Sequence, residues 1–338
     1  MAFMGASNSL STEFAYSIST LLAAGLLYWA FSKSDLHWAD IYQTAQTANY
    51  QWIIISIIIS LVSHWLRALR WEQLLGAMHY HPGTTRTFSA VLIGYFANFI
   101  VPRMGEVSRC GSLQKTASIP FEKSFGTVIT ERIVDLLGLV VIVAITFVVE
   151  WKPIQQFLFP NFHMPPTILL AGLAAGALAF FALFWILRDR MIVRWNQFAA
   201  SNKVGQILNG WFTGILSIKE VENPAKFILY TILIWVAYYA NTYTLLLAFP
   251  ISAHLGLAAG LTVLVMGTFG MATPTQGGIG AYHSLVASTL SFYTIPLRDA
   301  TVLATFFHGT QMATILLFGG LSFIITFFLP KKNAGIES

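Results

Sequence analysis

Long apolar runs, rather than short amphipathic periods, organise this chain. Six stretches approach or exceed the roughly 20 residues that cross a bilayer as helix: Glu13–Phe31, Tyr50–Leu69, Ser124–Val149, Thr167–Leu187, Phe227–Phe249 and Ala300–Leu329. Two further apolar stretches break early. Thr87–Val101 runs into Pro102-Arg103-Met104-Gly105-Glu106 and then polar chain to Ser118. Leu255–Ala272 runs into Pro274-Thr275-Gln276-Gly277-Gly278-Ile279-Gly280, followed by a moderately apolar segment to Tyr293. The segment after Pro102 carries Glu106, Arg109, Gln114 and Lys115 and is too polar to cross lipid alone. The economical reading is two re-entrant helical hairpins, because irregular backbone at membrane depth survives only when buried in protein or facing water. Gly105, Gly277, Gly278 and Gly280 are expected to supply the turns, and the prolines to end the incoming half-helices.

The two broken stretches belong to one unit written twice. In Gly94–Leu137 and again in Gly267–Ala313, an apolar segment ends in Pro-x-x-Gly and an Ile-Pro pair follows, Ile119-Pro120 and Ile295-Pro296. The step from Pro120 to Glu131 equals that from Pro296 to Phe307. Broken apolar segments at matching places in two halves are a sequence pointer to a transporter's binding site. The division expected is a single integral membrane domain over 1–338. A first repeat covers 50–149 and a second 227–329. Between them, 188–226 is a basic cytoplasmic loop containing an interfacial helix. The fold class is all-α: a polytopic membrane protein of about six full spans plus two re-entrant hairpins.

Composition agrees with the runs. The chain of 338 residues is 56% hydrophobic and 10% charged, against about 25% charged in ordinary globular proteins. No basic region precedes Glu13–Phe31, so it reads as a retained helix rather than a cleaved signal. A lone cysteine, Cys110, rules out an internal disulfide or a multi-thiolate metal site. The net charge of +5 is a topology signal rather than a nucleic-acid one. Arg67, Arg70 and Arg86, then Arg103, Arg109, Lys115 and Lys123, then Arg188 to Lys226, then Lys331 and Lys332 all fall on one side of the predicted arrangement. That side should be cytoplasmic, in the cell membrane, with both termini there. An odd number of crossings separates the repeats, so they should be inverted.

Candidate chemistry concentrates in the first repeat. Glu131 and Asp135 are four apart on one helical face, and Arg132 can pair with Asp135 three residues on. Charges this deep must face the bundle interior or a water-filled cavity, since a charge at the bilayer centre costs about 2.5 kcal/mol or more. Two readings stand: an internal ion-pair network, or the polar wall of a translocation path. If Arg132 is Asp135's partner, removing it alone should damage folding. The second repeat places Phe307, His308 and Gln311 at these positions, leaving one group with a pKa near neutrality. Each turn should start a half-helix whose free N–H groups suit a phosphate or carboxylate. Arg103, Glu106 and Arg109 flank the first, and Gln276, Gly277, Gly278 and His283 the second. Asn98 is placed to cap or bridge the first hairpin. Arg67 and Arg70 read most simply as interface or headgroup anchors. No phosphate-binding loop, zinc-protease motif or dinucleotide fingerprint is present, so neither an enzyme nor a cofactor or metal site is expected.

The order R-x-x-R-W (67–71), G-Y-F-x-N-x-x-V-P-R-x-G-E-x-x-R (94–109), I-P (119–120), E-R-x-x-D (131–135) and P-T-Q-G-G-I-G-A-Y-H (274–283) resembles the lysylphosphatidylglycerol synthase/flippase-type membrane family. The resemblance covers roughly 50–330. It implies a flippase-like membrane part, and because the chain stops at Ser338, one without lipid aminoacylation. It carries Arg67, Arg70, Asn98, Pro102, Arg103, Gly105, Glu106, Arg109, Glu131, Arg132, Asp135, Gly277 and Gly278 as family positions. Gln276 and His283 depart from its pattern, against recognition of a cationic aminoacyl headgroup. The function expected is movement of an anionic or amphoteric phospholipid between leaflets. The alternative is a membrane-embedded transferase or accessory protein acting on a phospholipid or polyprenyl-phosphate lipid. Membrane lipids are the expected partners and nucleic acid is not; a separate lipid-modifying enzyme and homo-oligomerisation are left open.

Overall fold

The computed structural model describes residues 38–151 and 220–332, together with the single positions Gly25 and Gly172. The expected spans Glu13–Phe31 and Thr167–Leu187, and nearly all of the 188–226 loop, lie outside the described residues. Nine α-helices and one 3-10 turn, and no strand, make up the described part. They are α1 (Trp38–Thr47), α2 (Tyr50–Gly76), α3 (Thr84–Ile100), α4 (Gly105–Ala117), α5 (Phe121–Val149), α6 (Pro224–Leu247), α7 (Leu257–Ala272), the turn Gln276–Gly278, α8 (Ala281–Phe292) and α9 (Leu297–Phe328).

Helix α1 was not anticipated; Asp40 in its first turn ties it to Arg298 in α9 through a bidentate pair of 2.6 and 2.7 Å. Helices α2, α5 and α9 are long and apolar enough to cross a membrane. Helix α6 has 24 residues, about 36 Å at 1.5 Å per residue, with Lys226, Asn241 and four tyrosines moderating its hydropathy. Outward positions of α5 and α9 are large and apolar, among them Leu136, Val140, Leu317 and Phe328. That is the surface a lipid-embedded bundle requires and a water-exposed one avoids.

Each half repeats one plan: a long helix, two short helices joined by a tight turn, and a second long helix. Helices α2 to α5 form the first copy and α6 to α9 the second. The match is closest where the outgoing elements begin. Gly105 and Ala281 open α4 and α8, and Phe121 and Leu297 open α5 and α9, at one constant offset. Before each final helix the chain turns through a left-handed residue, Ser118 or Thr294. It then buries Ile119 or Ile295 and starts the helix after Pro120 or Pro296. Proline at the cap is tolerated because no helical N–H is lost there. Each copy packs its own core, around Trp71, Leu74, Leu113 and Ile119 in the first and Leu246, Phe249, Leu290 and Ile295 in the second.

Helices α2 and α6 run antiparallel. Asn49 N donates to Ala248 O (2.7 Å), Asn241 Nδ2 to Ser56 O (2.7 Å), and Arg70 lies beside Thr231 and Phe227. As each is the first helix of its copy, the two copies run in opposite directions.

The hairpins are antiparallel pairs of short helices. Arg86 Nε donates to Thr116 O (3.2 Å) at the base of the first, and Gly105 N donates to Asn98 Oδ1 (2.6 Å) at its tip. Thr262 and Tyr293 hydroxyls meet at 2.9 Å at the base of the second. Both tips lie against the middle of α9. Gly277 O takes a hydrogen bond from His308 (2.8 Å), and a Cβ on Gly277 would lie 3.1 Å from Met312 Sδ and 3.2 Å from a ring carbon of Phe99, in the last turn of α3. The tips also touch through Arg103, whose Nη2 donates to Ala272 O at 2.6 Å. That carbonyl is one of the four left unpaired at a helix C-terminus, where a cation is also favoured by the helix dipole.

Two details of the hairpins differ from expectation. The equivalence of the two Pro-x-x-Gly elements fails, because the second turn spans 273–280 and the first only 101–104. Packing equates Gly94 with Gly270: each is the close-approach glycine facing the first residues of the outgoing helix, Gly105 and Ala281-Tyr282 respectively. Gly105 itself does not bend the chain. Arg103 takes the left-handed position (φ 65°), as Gly277, Gly278 and Gly280 do in the second turn. Gly105 is required for contact, since a Cβ there would lie 2.4 Å from Gly94 O and 2.5 Å from Asn98 Nδ2. Gly105→Ala should therefore cost about 1–3 kcal/mol, as overpacking does. Gly111→Ala on the same helix, with nothing within 4 Å of its Cβ, should be neutral or stabilising by up to about 1 kcal/mol. Thermal unfolding of the two purified variants checks the contrast; equal melting temperatures would remove the close-approach argument.

Candidate functional site

Behind the tip of the first hairpin, three helices bring charged side chains into one network. Helix α2 supplies Arg67 and Arg70, one turn apart on its inner face. Arg109 comes from the second turn of α4, and Glu131 and Asp135 from α5. Glu131 is 0% exposed and held by three guanidiniums. Arg67 Nη1 meets its Oε1, Arg109 Nη1 lies 3.0 Å from its Oε2, and Arg70 Nη2 stands 3.6 Å away. Asp135 is bound by Arg70 Nη2 (2.5 Å) and Arg67 Nη2 (2.9 Å). Helix α6 closes the far side: Tyr238 OH accepts from Arg67 Nη2 (2.9 Å) and Nε (3.2 Å), and Thr231 Oγ1 from Arg70 Nη1 (3.4 Å). The Arg109 guanidinium lies 4.6 Å over Trp71, whose indole N–H donates to Thr127 (2.8 Å).

Arg67 and Arg70, expected as interface anchors, are thus the centre of the network, with exposures of 3% and 0%. The spacing that could have shown this was R-x-x-R itself: two guanidiniums one turn apart on α2 match two carboxylates one turn apart on α5. Tyr238 and Thr231 were missed because α6 reads as uniformly lipophilic with scattered hydroxyls. Arg132 also departs from its expected role. Its side chain is 44% exposed, lies 3.3 Å from Glu106 on α4, and stands 3.8 Å from Asp135. Asp135 has two closer partners, so removing Arg132 does not strand it.

Among the described residues, charge in the network does not cancel: Arg67, Arg70, Arg109 and Arg132 face Glu106, Glu131 and Asp135, leaving one cation in excess. Consistent with that surplus, the Nε and Nη2 atoms of Arg109 and the Nε of Arg70 are buried without a hydrogen-bond partner among the described residues.

The second copy gathers its counterparts without charge. Phe307, at the position equivalent to Glu131, is fully buried. His308 stacks on Tyr282 (4.9 Å between ring centres) and meets His283 edge-on (4.8 Å). Gln311 faces Tyr282. His283 Nδ1 accepts from Gly280 N at 3.3 Å, and since Gly277 O can only accept, His308 Nε2 carries the proton there. Gly277 and Gly278 form the turn between them and Gln276 opens it. Arg103, expected as a phosphate ligand, is exposed and caps α7, and Asn98 bridges its own hairpin. Among the described residues no cluster of metal-ligating side chains occurs.

A bundle of membrane helices in two inverted copies, each with a broken hairpin and, among the described residues, only one with a buried ionic network, defines a polytopic membrane protein with an interior polar site. The chain belongs to the lysylphosphatidylglycerol synthase transmembrane-region family, which it matches over residues 16–319. It is 23% identical over 325 residues to the UPF0104 membrane protein PH1989 of Pyrococcus horikoshii, covering 89% of this chain and 91% of the relative. Over 130 residues it is 27% identical to the UPF0104 membrane protein MJ1595 of Methanocaldococcus jannaschii, 38% of each chain. No solved structure matches it.

The network sets an order of severity for substitution. Glu131→Ala leaves two or three guanidiniums facing one another in the interior and should cost about 3–5 kcal/mol, as breaking a buried pair does. Arg132→Ala removes a half-exposed partner and should cost less than about 1 kcal/mol. Denaturation of the two variants in detergent decides this. Equal losses would mean that Arg132, and not the pair Arg67 and Arg70, holds the carboxylates.

Proposed function

We propose that this protein is a lipid transporter of flippase type, moving an anionic or amphoteric phospholipid between leaflets. The observation that carries the reading is the buried network with one positive charge uncompensated among the described residues, placed directly behind two broken hairpins that meet tip to tip. Buried charges that serve packing alone can be balanced within the protein; an excess in a low-dielectric interior calls for a counter-anion. A lipid phosphate is the anion at hand in a membrane. In this reading both hairpins are re-entrant, entering the membrane from opposite sides and returning, so that their tips divide two vestibules. Arg109 and its neighbours draw the phosphate, Glu106 at the exposed edge contacts a headgroup amine, and the neutral Tyr282–His283–His308–Gln311 group forms the second gate. In the same reading the distribution of basic residues favours the cell membrane with both termini cytoplasmic.

Contact between the tips is the part of this reading that substitution tests most cleanly, because Arg103 is exposed and its loss should spare the fold. In liposomes containing a leaflet-labelled phospholipid, the wild-type protein should exchange lipid between leaflets and return it chemically unchanged. Arg103→Ala should keep its melting temperature within a few degrees and slow exchange by about tenfold, the rate equivalent of about 1.4 kcal/mol. Absence of exchange by the wild type would end the transporter reading. Recovery of a modified lipid would favour the alternative, a membrane-embedded transferase. Against that alternative stands the geometry of Glu131, whose two oxygens are both taken up by guanidiniums and are poorly placed to accept a proton.

A further inference from the structure

Between α5 and α6 the surface opens into a groove of about 320 Å³, lined by Val134 on one side and by Pro224, Phe227, Ile228, Thr231 and Ile232 on the other. From Pro224 to Ile232 it follows α6 for about 12 Å. Its walls are almost wholly apolar, and it lies on the face where Ile133, Leu136, Ile228 and Ile232 are exposed. A bare apolar slot in a membrane protein selects nothing, since any acyl chain can fill it. Behind the apolar lining of this one stands a fully buried arginine, Arg70. Phe227 lies 6.0 Å from the Arg70 guanidinium, Thr231 accepts a hydrogen bond from Arg70 Nη1, and Val134 precedes Asp135 in α5. Arg70 keeps a buried Nε without a partner among the described residues.

We infer that this groove seats one acyl chain of a phosphodiester lipid carrying a single net negative charge, with its phosphate held at the Arg70 end. The inference deepens the transporter reading and rests on it for the lipid's onward route, but the groove makes its own claim about charge. Among the described residues, four guanidiniums against three carboxylates leave one positive charge to balance, and a phosphodiester whose headgroup carries no net charge supplies one negative charge. A zwitterionic lipid leaves the surplus in place. A lipid with a net positive headgroup adds to it, and in a medium of low effective dielectric that repulsion is not screened away.

The test is direct capture. A photoreactive benzoylphenylalanine replaces Ile133, which is exposed beside the groove-lining Val134 without lining the groove itself. The protein is reconstituted in phosphatidylcholine vesicles holding equal minor fractions of phosphatidylglycerol and lysylphosphatidylglycerol, and the adducts are weighed after irradiation. Phosphatidylglycerol should be captured about tenfold above its share of the vesicle, the factor that 1.4 kcal/mol gives. Adding Arg132→Gln makes the network neutral without touching the buried pairs, and should bring capture back towards vesicle composition. Capture in proportion to composition, meaning bulk lipid only, overturns the inference, and so does enrichment of the cationic lipid. Leaflet exchange by Ile228→Trp, which fills the groove, separates this idea from the transporter reading. Selective capture without exchange in the wild type upholds the groove and sinks the transporter. Unaltered exchange by Ile228→Trp sinks the groove and leaves the transporter standing.

Discussion

Glu131 is a carboxylate with no exposed surface inside a bundle of membrane helices, and the rest of the first copy is arranged around keeping it charged and paired. Isolated, such a charge would be among the most costly groups in the protein. Three guanidiniums from two other helices surround it, and each is fixed in turn: Arg67 by Tyr238, Arg70 by Thr231 and Asp135, Arg109 by the face of Trp71. The network therefore does more than pair charges. It ties α2, α4 and α5 to α6, the first helix of the opposite copy, where packing between apolar helices in lipid supplies no hydrophobic drive.

Broken backbone sets the second constraint. A hairpin of two short helices leaves unpaired the C-terminal carbonyls of the first and the N-terminal amides of the second. The two turns meet this demand differently. In the first, Asn98 accepts from Gly105 N while Gly94 and Gly105 bring the helices into backbone contact. In the second, His283 accepts from Gly280 N and three glycines carry the left-handed angles. Arg103 then serves the other hairpin, capping α7 across the gap between tips. Each tip is held partly by its partner, so neither turn can move without releasing a bond at the other.

Much of this plan was legible in the chain. Helix positions follow from apolar run length, and the shared Ile-Pro step marks the entry to α5 and α9, because a buried isoleucine and a proline cap perform the same local task in both copies. The incoming halves were harder. Matching Pro102 to Pro274 misaligned α3 and α7, since the second turn is longer and proline sits at different places in the two bends. Close-approach glycines, Gly94 and Gly270, were the better register marks, but nothing in a single sequence separates a glycine needed for contact from one needed for a turn. The network was half visible for a similar reason. Glu131 and Asp135 announce themselves as acids in an apolar run. Arg67 and Arg70 fall near a helix end, where the sidedness rule explains an arginine equally well, and only the antiparallel contact of α2 with α6 turns them inward.

The inverted copies are alike in backbone and unlike in chemistry, and that difference bears on mechanism. Two identical charged clusters would each hold an anion with similar strength, and a lipid caught between them would have little reason to leave in either direction. Here the positions of Glu131, Arg132 and Asp135 are taken by Phe307, His308 and Gln311, so only one copy attracts charge over distance. The neutral copy interacts through stacked rings and backbone carbonyls, which act only at contact. An anionic headgroup would therefore be drawn to the first site and released past the second. With both tips resting on the middle of α9, one helix would, in the proposed transport, register which of the two is occupied.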